Sequence, residues 1–292
     1  MKKFFDLSHA IREQPNCSFE VINKLPEIRY LEGGAQGSFF ITTKINNLFF
    51  NISTHIDFPG HLPELRGKFS DSVGAYAIER FVGSVLVLDF SSKLQKIKSF
   101  FDDKGKFLVD LKDEEKMMLF LKALEKLEIS TSEFNEVLKI CSASLSSLKG
   151  ILLYTGLSAY WKYEINDAWN FIYFFNPFLS SEVCEQIACY NFSFIGVDTS
   201  QIEHPIVNYN GDETPLVSNP KCREFVIEKL NAINGRLNHK ILLEKDILIY
   251  ENVNIPPEVA NCVVDFSGVP LNFQIEGMNN NALARPYAVL VS

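Results

Sequence analysis

The stretch Asn51-Ile-Ser-Thr-His-Ile-Asp-Phe-Pro-Gly-His61 carries three side chains of types that do chemistry, His55, Asp57 and His61. In an extended segment alternate side chains share a face, which sets His55 beside Asp57, with Ser53 and Asn51 in line behind them. Pro59 has no N–H for a sheet ladder, so the strand is expected to end near Asp57 and the chain to turn, swinging His61 back toward the same pocket. Imidazoles and a carboxylate on one face outline a metal site or an acid/base pair. The plainer alternative is a buried histidine braced by a carboxylate. The chain has five histidines in all, and two of them fall within seven residues here.

A second group of this kind lies near the other end. Glu251 closes the apolar run Ile247-Leu-Ile-Tyr250, and His239 precedes it by twelve positions. A carboxylate at the end of an apolar strand needs a partner, because burying it alone costs several kcal/mol. A cation would serve, as would a lysine or backbone amides. Strand ends are also where open α/β sheets hold ligands.

The elements that must position these residues are legible as periodic runs. Ser84–Phe90, Gly150–Tyr154, Phe192–Asp198 and Ile247–Glu251 are short apolar stretches suited to buried strands. Between them, helical spacing covers Asp113–Leu127, Ser181–Tyr190 and Pro220–Ile233, the last with Asn219 as cap and Pro220 in its first turn. Strands alternating with helices indicate an α/β fold, and extended pieces at Phe39–Phe50 and Leu271–Ile275 add antiparallel strands. Lys93–Lys106 is charged and aperiodic, as in a surface loop, and Gly211–Pro215 is rich in turn formers.

Composition bounds the function classes. The 292 residues, 47% hydrophobic, suit one large domain with insertions. With 36 acidic against 28 basic residues the net charge is −8, which argues against a nucleic-acid partner. Polar residues at Asp6, His9, Arg12 and Glu13 break any signal-peptide core, and no apolar run is long enough to span a membrane. A cytoplasmic protein is expected. The six cysteines lack Cys-x-x-Cys spacing and read as reduced, mostly buried thiols.

Ser53-Thr-His-Ile-Asp-Phe-Pro-Gly-His61 resembles the His-x-Gly-Thr-His-x-Asp-x-Pro-x-His signature of the cyclase family, which includes bacterial kynurenine formamidases and isatin hydrolases. Further segments agree in order. Asp6-Leu-Ser-His9 is similar to the family's opening strand, Leu153-Tyr-Thr-Gly156 with Trp161 to its Thr-Gly-Trp segment, and Ile195-Gly-Val-Asp-Thr199 to its Gly-x-Asp-Thr strand. His239 with Glu251-Asn252, and Val269-Pro-Leu271 with Arg285, resemble its later segments.

The resemblance covers the chain apart from an insertion at about 93–148 and implies that 1–292 is a single mixed-sheet β/β/α swivelling domain, usually a homo-oligomer, that acts on a small-molecule substrate. It also implies that His55 and Asp57 bind a divalent metal, that His239 and Glu251 complete a second position, and that His61 is the acid/base residue. Zinc or manganese, as one or two ions, would bring water to a pKa of about 7, and a histidine would move the proton to a leaving amine. The implied reaction is hydrolysis of a small amide, on the pattern of kynurenine formamidase. The alternatives are a noncatalytic ligand-binding member and a metal-dependent cyclase or dehydratase.

Two positions differ from the signature. Asn51 stands where the family has its first histidine, and Ser53 where it has glycine. An amide oxygen at Asn51 is harder than imidazole and moves preference from zinc toward manganese or magnesium. Ser53 could bond a ligand or serve a turn, and Phe58 could narrow the pocket, stack on an aromatic substrate or pack in the core. Arg285 is the remaining substrate-binding candidate. His9 is expected to be structural and His204 exposed.

Overall fold

The computed structural model describes residues 2–9, 27–33, 40–46, 53–69, 73–110, 112–141, 144–161, 172, 175–206, 220–232, 236–272 and 281–291. In chain order their strands are β1 (Lys2–Asp6), β2 (Glu27–Gly33), β3 (Phe40–Asn46), β4 (His55–Asp57), β5 (Val82–Asp89), β6 (Glu128–Ile129), β7 (Gly150–Tyr154) and β8 (Phe178–Leu179). There follow β9 (Phe194–Val197), β10 (Leu248–Glu251), β11 (Val263–Ser267), β12 (Asn281–Leu283) and β13 (Tyr287–Val291). The helices are α1 (Glu114–Leu124), α2 (Thr131–Ile140), α3 (Ser181–Ala188), α4 (Pro220–Ala232) and α5 (Leu237–Leu243).

Nine strands form one mixed sheet in the order β1-β13-β11-β5-β7-β9-β10-β4-β12. The run β5-β7-β9-β10 is parallel, and the flanking strands pair antiparallel. Connectivity forces this sheet to curl. β12 is last in the order and β13 second, seven intervals away, which in a flat sheet is about 33 Å. Only Ala284, Arg285 and Pro286 join them, a link that reaches about 14 Å at most. The two ends therefore approach each other, and the link itself is tied to both: Ala284 N–H donates to Thr54 O at 3.1 Å and Leu7 N–H to Pro286 O at 2.9 Å.

One core cluster takes a residue from every strand of the sheet, among them Phe5, Ile56, Val87, Leu152, Phe194, Tyr250, Phe266, Ala282 and Ala288, and fills the inside of the curl. The outer face buries Leu86, Leu88, Ile151, Leu153, Ile195 and Ile249 against Phe134 of α2, Val183 and Ile187 of α3, and Leu242 and Leu243 of α5. Alternation along β5, with Val85 and Val87 inward and Leu86 and Leu88 outward, is the period of two that makes both faces apolar. Each such side chain taken fully from water contributes about 1.5–3 kcal/mol.

Helices form where their signals stand. Asp113 caps α1 by accepting from Lys116 N–H, and Ser130 and Glu133 make a reciprocal capping box on α2. The expected helix over Asp113–Leu127 closes in a 3-10 turn at Glu125–Leu127.

The segment Lys93–Lys106 is not a surface loop. Leu94, Ile97 and Phe101 are buried in a third cluster with Phe107, Phe120 of α1 and Phe175. Even Lys93 is only 6% exposed, because its ammonium donates to Glu128 O and pairs with Glu133 at 2.5 Å. Gly211–Pro215 and all of Leu271–Ile275 beyond Asn272 lie outside the described residues. Among the described residues no helix is long and apolar enough to cross a membrane, and the five cysteines, Cys141, Cys184, Cys189, Cys222 and Cys262, are free.

Candidate metal centre

On β4, Ile56 points into the curl, so His55 and Asp57 on either side of it point to the outer face. Antiparallel pairing with β10 sets Glu251 opposite His55 and Ile249 opposite Asp57. Since Ile249 belongs to the outer cluster, Glu251, two residues on, faces the same way. α5 lies over this patch through Leu242 and Leu243 and brings His239 down onto it. Pro59 ends the strand and opens a 3-10 turn, Pro59–His61, whose last residue returns to the cluster.

The donor atoms converge. His55 Nε2 is 3.6 Å from Asp57 Oδ1 and 3.5 Å from Glu251 Oε2, while His239 Nε2 is 3.4 Å from Asp57 Oδ2 and 3.2 Å from Glu251 Oε1. His61 Nδ1 is 4.0 Å from Asp57 Oδ1. Tetrahedral ligands bound at about 2.0–2.2 Å are themselves about 3.3–3.6 Å apart, and the first four separations are of that size. His55 meets one oxygen of Asp57 and of Glu251 and His239 meets the other, so the donors form two groups that share Asp57, namely His55 with Asp57 and Glu251, and Asp57 with His61 and His239. Asp57 Oδ1 and Oδ2, His239 Nε2 and Glu251 Oε1 are buried and have no hydrogen-bond partner among the described residues. Buried polar atoms are otherwise almost always satisfied, and two carboxylates balance one divalent charge. The residues thus fit divalent metal at one or two adjacent positions, which His55, Asp57, His239 and Glu251 would hold.

The charges tell the same story. Burial alone would raise the Asp57 carboxyl, but the imidazoles of His61, His239 and His55 hold it well below the usual carboxylate range. Burial opposes charging of His239, yet Glu203, Asp57 and Glu251 outweigh it and raise the imidazole well above its ordinary value. The raised imidazole means that the surrounding carboxylates favour positive charge at His239, which a cation would supply, and the lowered carboxyl keeps Asp57 ionised and able to bind one. His61 goes the other way. Asp57 favours its charged form, but burial, His239 and Arg236 outweigh that and lower it.

Supporting contacts fix the ligands. His239 donates from its backbone N–H to Glu203 Oε1 at 2.9 Å, and its Nδ1 lies 2.6 Å from Glu203 Oε2, which leaves Nε2 for the cluster. His55 Nδ1 lies 2.7 Å from Ser53 O, and Asn252 Nδ2 donates to the same carbonyl at 3.3 Å. Asn252 adopts a left-handed conformation (φ 55°), which asparagine tolerates, and so ends β10 directly after Glu251. Asp198 accepts from Thr155 N–H and Oγ1 and from Gly156 N–H at 2.9, 2.6 and 2.8 Å, tying the ends of β7 and β9 together. Burial pushes its carboxyl up to about 6, against the pull of those donors. Gly156 turns there at φ 85°, a conformation in which a side chain would be strained.

Of the candidates named from sequence, His55, Asp57, His61, His239 and Glu251 come together. Asn51 lies outside the described residues. Ser53 is buried, and its hydroxyl donates to His9 O at 2.8 Å. Phe58 and Arg285 are not brought to the cluster. The Phe58 ring is fully buried in the inner core against Tyr76 and Phe81, with centroids 5.1 and 6.4 Å away. Arg285 is exposed and pairs with Asp6 at 2.9 Å. His9 stacks on Trp161 at 4.3 Å. His204 is buried rather than exposed, because Glu125 at 3.1 Å and the Phe178 ring cover it.

Two residues escaped the sequence reading. Glu203 sits six residues past the end of β9, with no periodic or motif signal beyond its closeness to Asp198-Thr199. Arg236 precedes α5, and its Nη1 lies 2.6 Å from His61 Nε2.

The Cyclase family model matches residues 5–204. Among solved structures, an isatin hydrolase bound to the product analogue thioisatinate is 11% identical, with a TM-score of 0.66 over 100% of this chain and 93% of that one. Isatin hydrolase A from Labrenzia aggregata, bound to benzyl benzoate, is 14% identical, with a TM-score of 0.63 over 100% and 94%. A structure described as a potential metal-dependent hydrolase with cyclase activity is 14% identical, with a TM-score of 0.57 over 100% of both chains. Among proteins of curated function none matches in sequence. A model match over more than half of the chain, on the fold and the ordered segments described above, places this protein in the Cyclase family.

Proposed function

We propose that the protein is a metal-dependent hydrolase of a small amide, with an aryl formamide or a cyclic amide as substrate and a kynurenine formamidase-like reaction as the leading case. The observation that carries this reading is the set of buried, unpartnered Asp57, Glu251 and His239 atoms with His61 beside them, its Nδ1 4.0 Å from Asp57. The likeness in fold to isatin hydrolases, at 11% and 14% identity, agrees with it.

Zinc or manganese held by His55, Asp57, His239 and Glu251 would polarise the amide carbonyl and make water acidic near neutral pH. His61 is the proton carrier. Its Nδ1 lies on the side of Asp57, at 4.0 Å and so not hydrogen-bonded to it, and Nε2, which faces the donor-only guanidinium of Arg236, is the basic nitrogen. As the water oxygen bonds to the carbonyl carbon, Nε2 takes the water proton. As the C–N bond breaks, the same proton passes to the leaving nitrogen, giving an acid and an amine.

A panel of aryl formamides, cyclic imides and lactones, assayed with metal-loaded and chelator-treated protein, tests the reading. Turnover of an amide that needs metal and is lost in Asp57→Ala supports it. Turnover that survives complete metal removal overturns it, and binding without turnover favours a ligand-binding protein.

A further inference from the structure

The contact between Arg236 and His61 bears on which amides the site would turn over. A guanidinium carries only donors, so Nε2 of His61 must be the acceptor across the 2.6 Å contact with Arg236 Nη1. The ring hydrogen then sits on Nδ1, on the side of Asp57. Both ring nitrogens are engaged, one by its hydrogen and one by the arginine. His61 cannot accept a proton until Arg236 leaves.

Arg236 is able to leave. It is exposed, and among the described residues no carboxylate pairs with its guanidinium. A carboxylate offers two oxygens to a guanidinium where an imidazole offers one nitrogen, and a charge-assisted bidentate pair is the stronger. Arg236 also precedes α5, three residues from His239, so its backbone is fixed to the same helix that carries a proposed ligand.

We propose that Arg236 is a latch on His61, opened by an amide substrate that also carries a carboxylate within reach of the guanidinium. The substrate anion draws the guanidinium from Nε2 and is held by it. The freed lone pair then takes the proton of the attacking water and returns it to the leaving nitrogen, with no change of oxidation state. A neutral amide leaves the latch closed. Arg236 is in this account a positioning residue with a role in specificity, and the kinetic arm of its test rests on the hydrolase reading.

The test uses full-length, zinc-loaded protein and a matched pair of probes, 2-formamidobenzoate and the neutral formanilide. Wild type is expected to prefer the anion. Arg236→Gln lowers kcat/KM for 2-formamidobenzoate by roughly 10- to 100-fold, as for loss of a charged hydrogen bond, and raises kcat for formanilide. An equal fall for both substrates overturns the proposal. A second readout needs no turnover: in 15N spectra, benzoate shifts the His61 Nε2 resonance of wild type, benzamide does not, and neither moves it in Arg236→Gln. A His61 resonance unmoved by benzoate in wild type sinks the latch. A benzoate shift without turnover of either amide upholds the latch and counts against the hydrolase reading alone.

Discussion

Glu203 grips His239 by two atoms, accepting from its backbone N–H at 2.9 Å and lying 2.6 Å from its ring Nδ1. Backbone and ring are thus fixed by one buried carboxylate, and Nε2 is aimed between Asp57 and Glu251. Glu203→Gln keeps the shape but removes the charge that makes the imidazole a strong ligand. Metal affinity is expected to fall by about 10- to 100-fold, measured by competition with a chromophoric chelator, while the folded far-UV spectrum is retained.

Phe58 tests what the inner core does. A fully buried phenylalanine against Tyr76 and Phe81 should cost about 3–5 kcal/mol when cut to alanine, read from urea unfolding. The milder Phe58→Leu is expected to lower stability while leaving KM of the best amide substrate unchanged. A large KM change with little loss of stability would put the ring in the substrate pocket instead.

Arg285 behaves as a surface ion-pair partner. Its side chain is 83% exposed and its partner Asp6 49%, so Arg285→Ala should shift stability by less than about 1 kcal/mol and leave amide turnover as it was. Loss of turnover would assign it a role at the site that its position here does not suggest.

Glu125 gives a pH dependence of known sign. Burial would raise its carboxyl, but His204 and Lys229, at 3.1 and 2.6 Å, bring it down to about 2. A carboxyl lowered on folding adds stability that is present above its unfolded value of about 4.5 and is lost as pH falls from there toward 2. With the side chain 36% exposed, solvent screening limits this to about 1 kcal/mol. Glu125→Gln should therefore be less stable than wild type at pH 7, and the gap should narrow between pH 5 and pH 3.

Local signals made most of the centre legible in the sequence. Strand alternation put His55 and Asp57 on one face, Pro59 marked the turn that returns His61, and Glu251 stood out as a carboxylate closing an apolar strand. The rest depended on partners distant in sequence. Lys93 looks like surface until Glu133 and the Glu128 carbonyl neutralise it, and His204 until Glu125 and Phe178 enclose it. Glu203 and Arg236 gave no signal because their roles are set by His239 and His61, which only the packing of α5 on the sheet brings near.

Metal content measures the central claim most directly. Full-length protein dialysed against zinc or manganese and then against buffer is predicted to retain one or two divalent ions per chain by elemental analysis, and Asp57→Ala, which removes the carboxylate common to both groups, to retain essentially none while still folded. Wild type that emerges without bound metal, or an Asp57→Ala variant that binds it as tightly, would contradict the account.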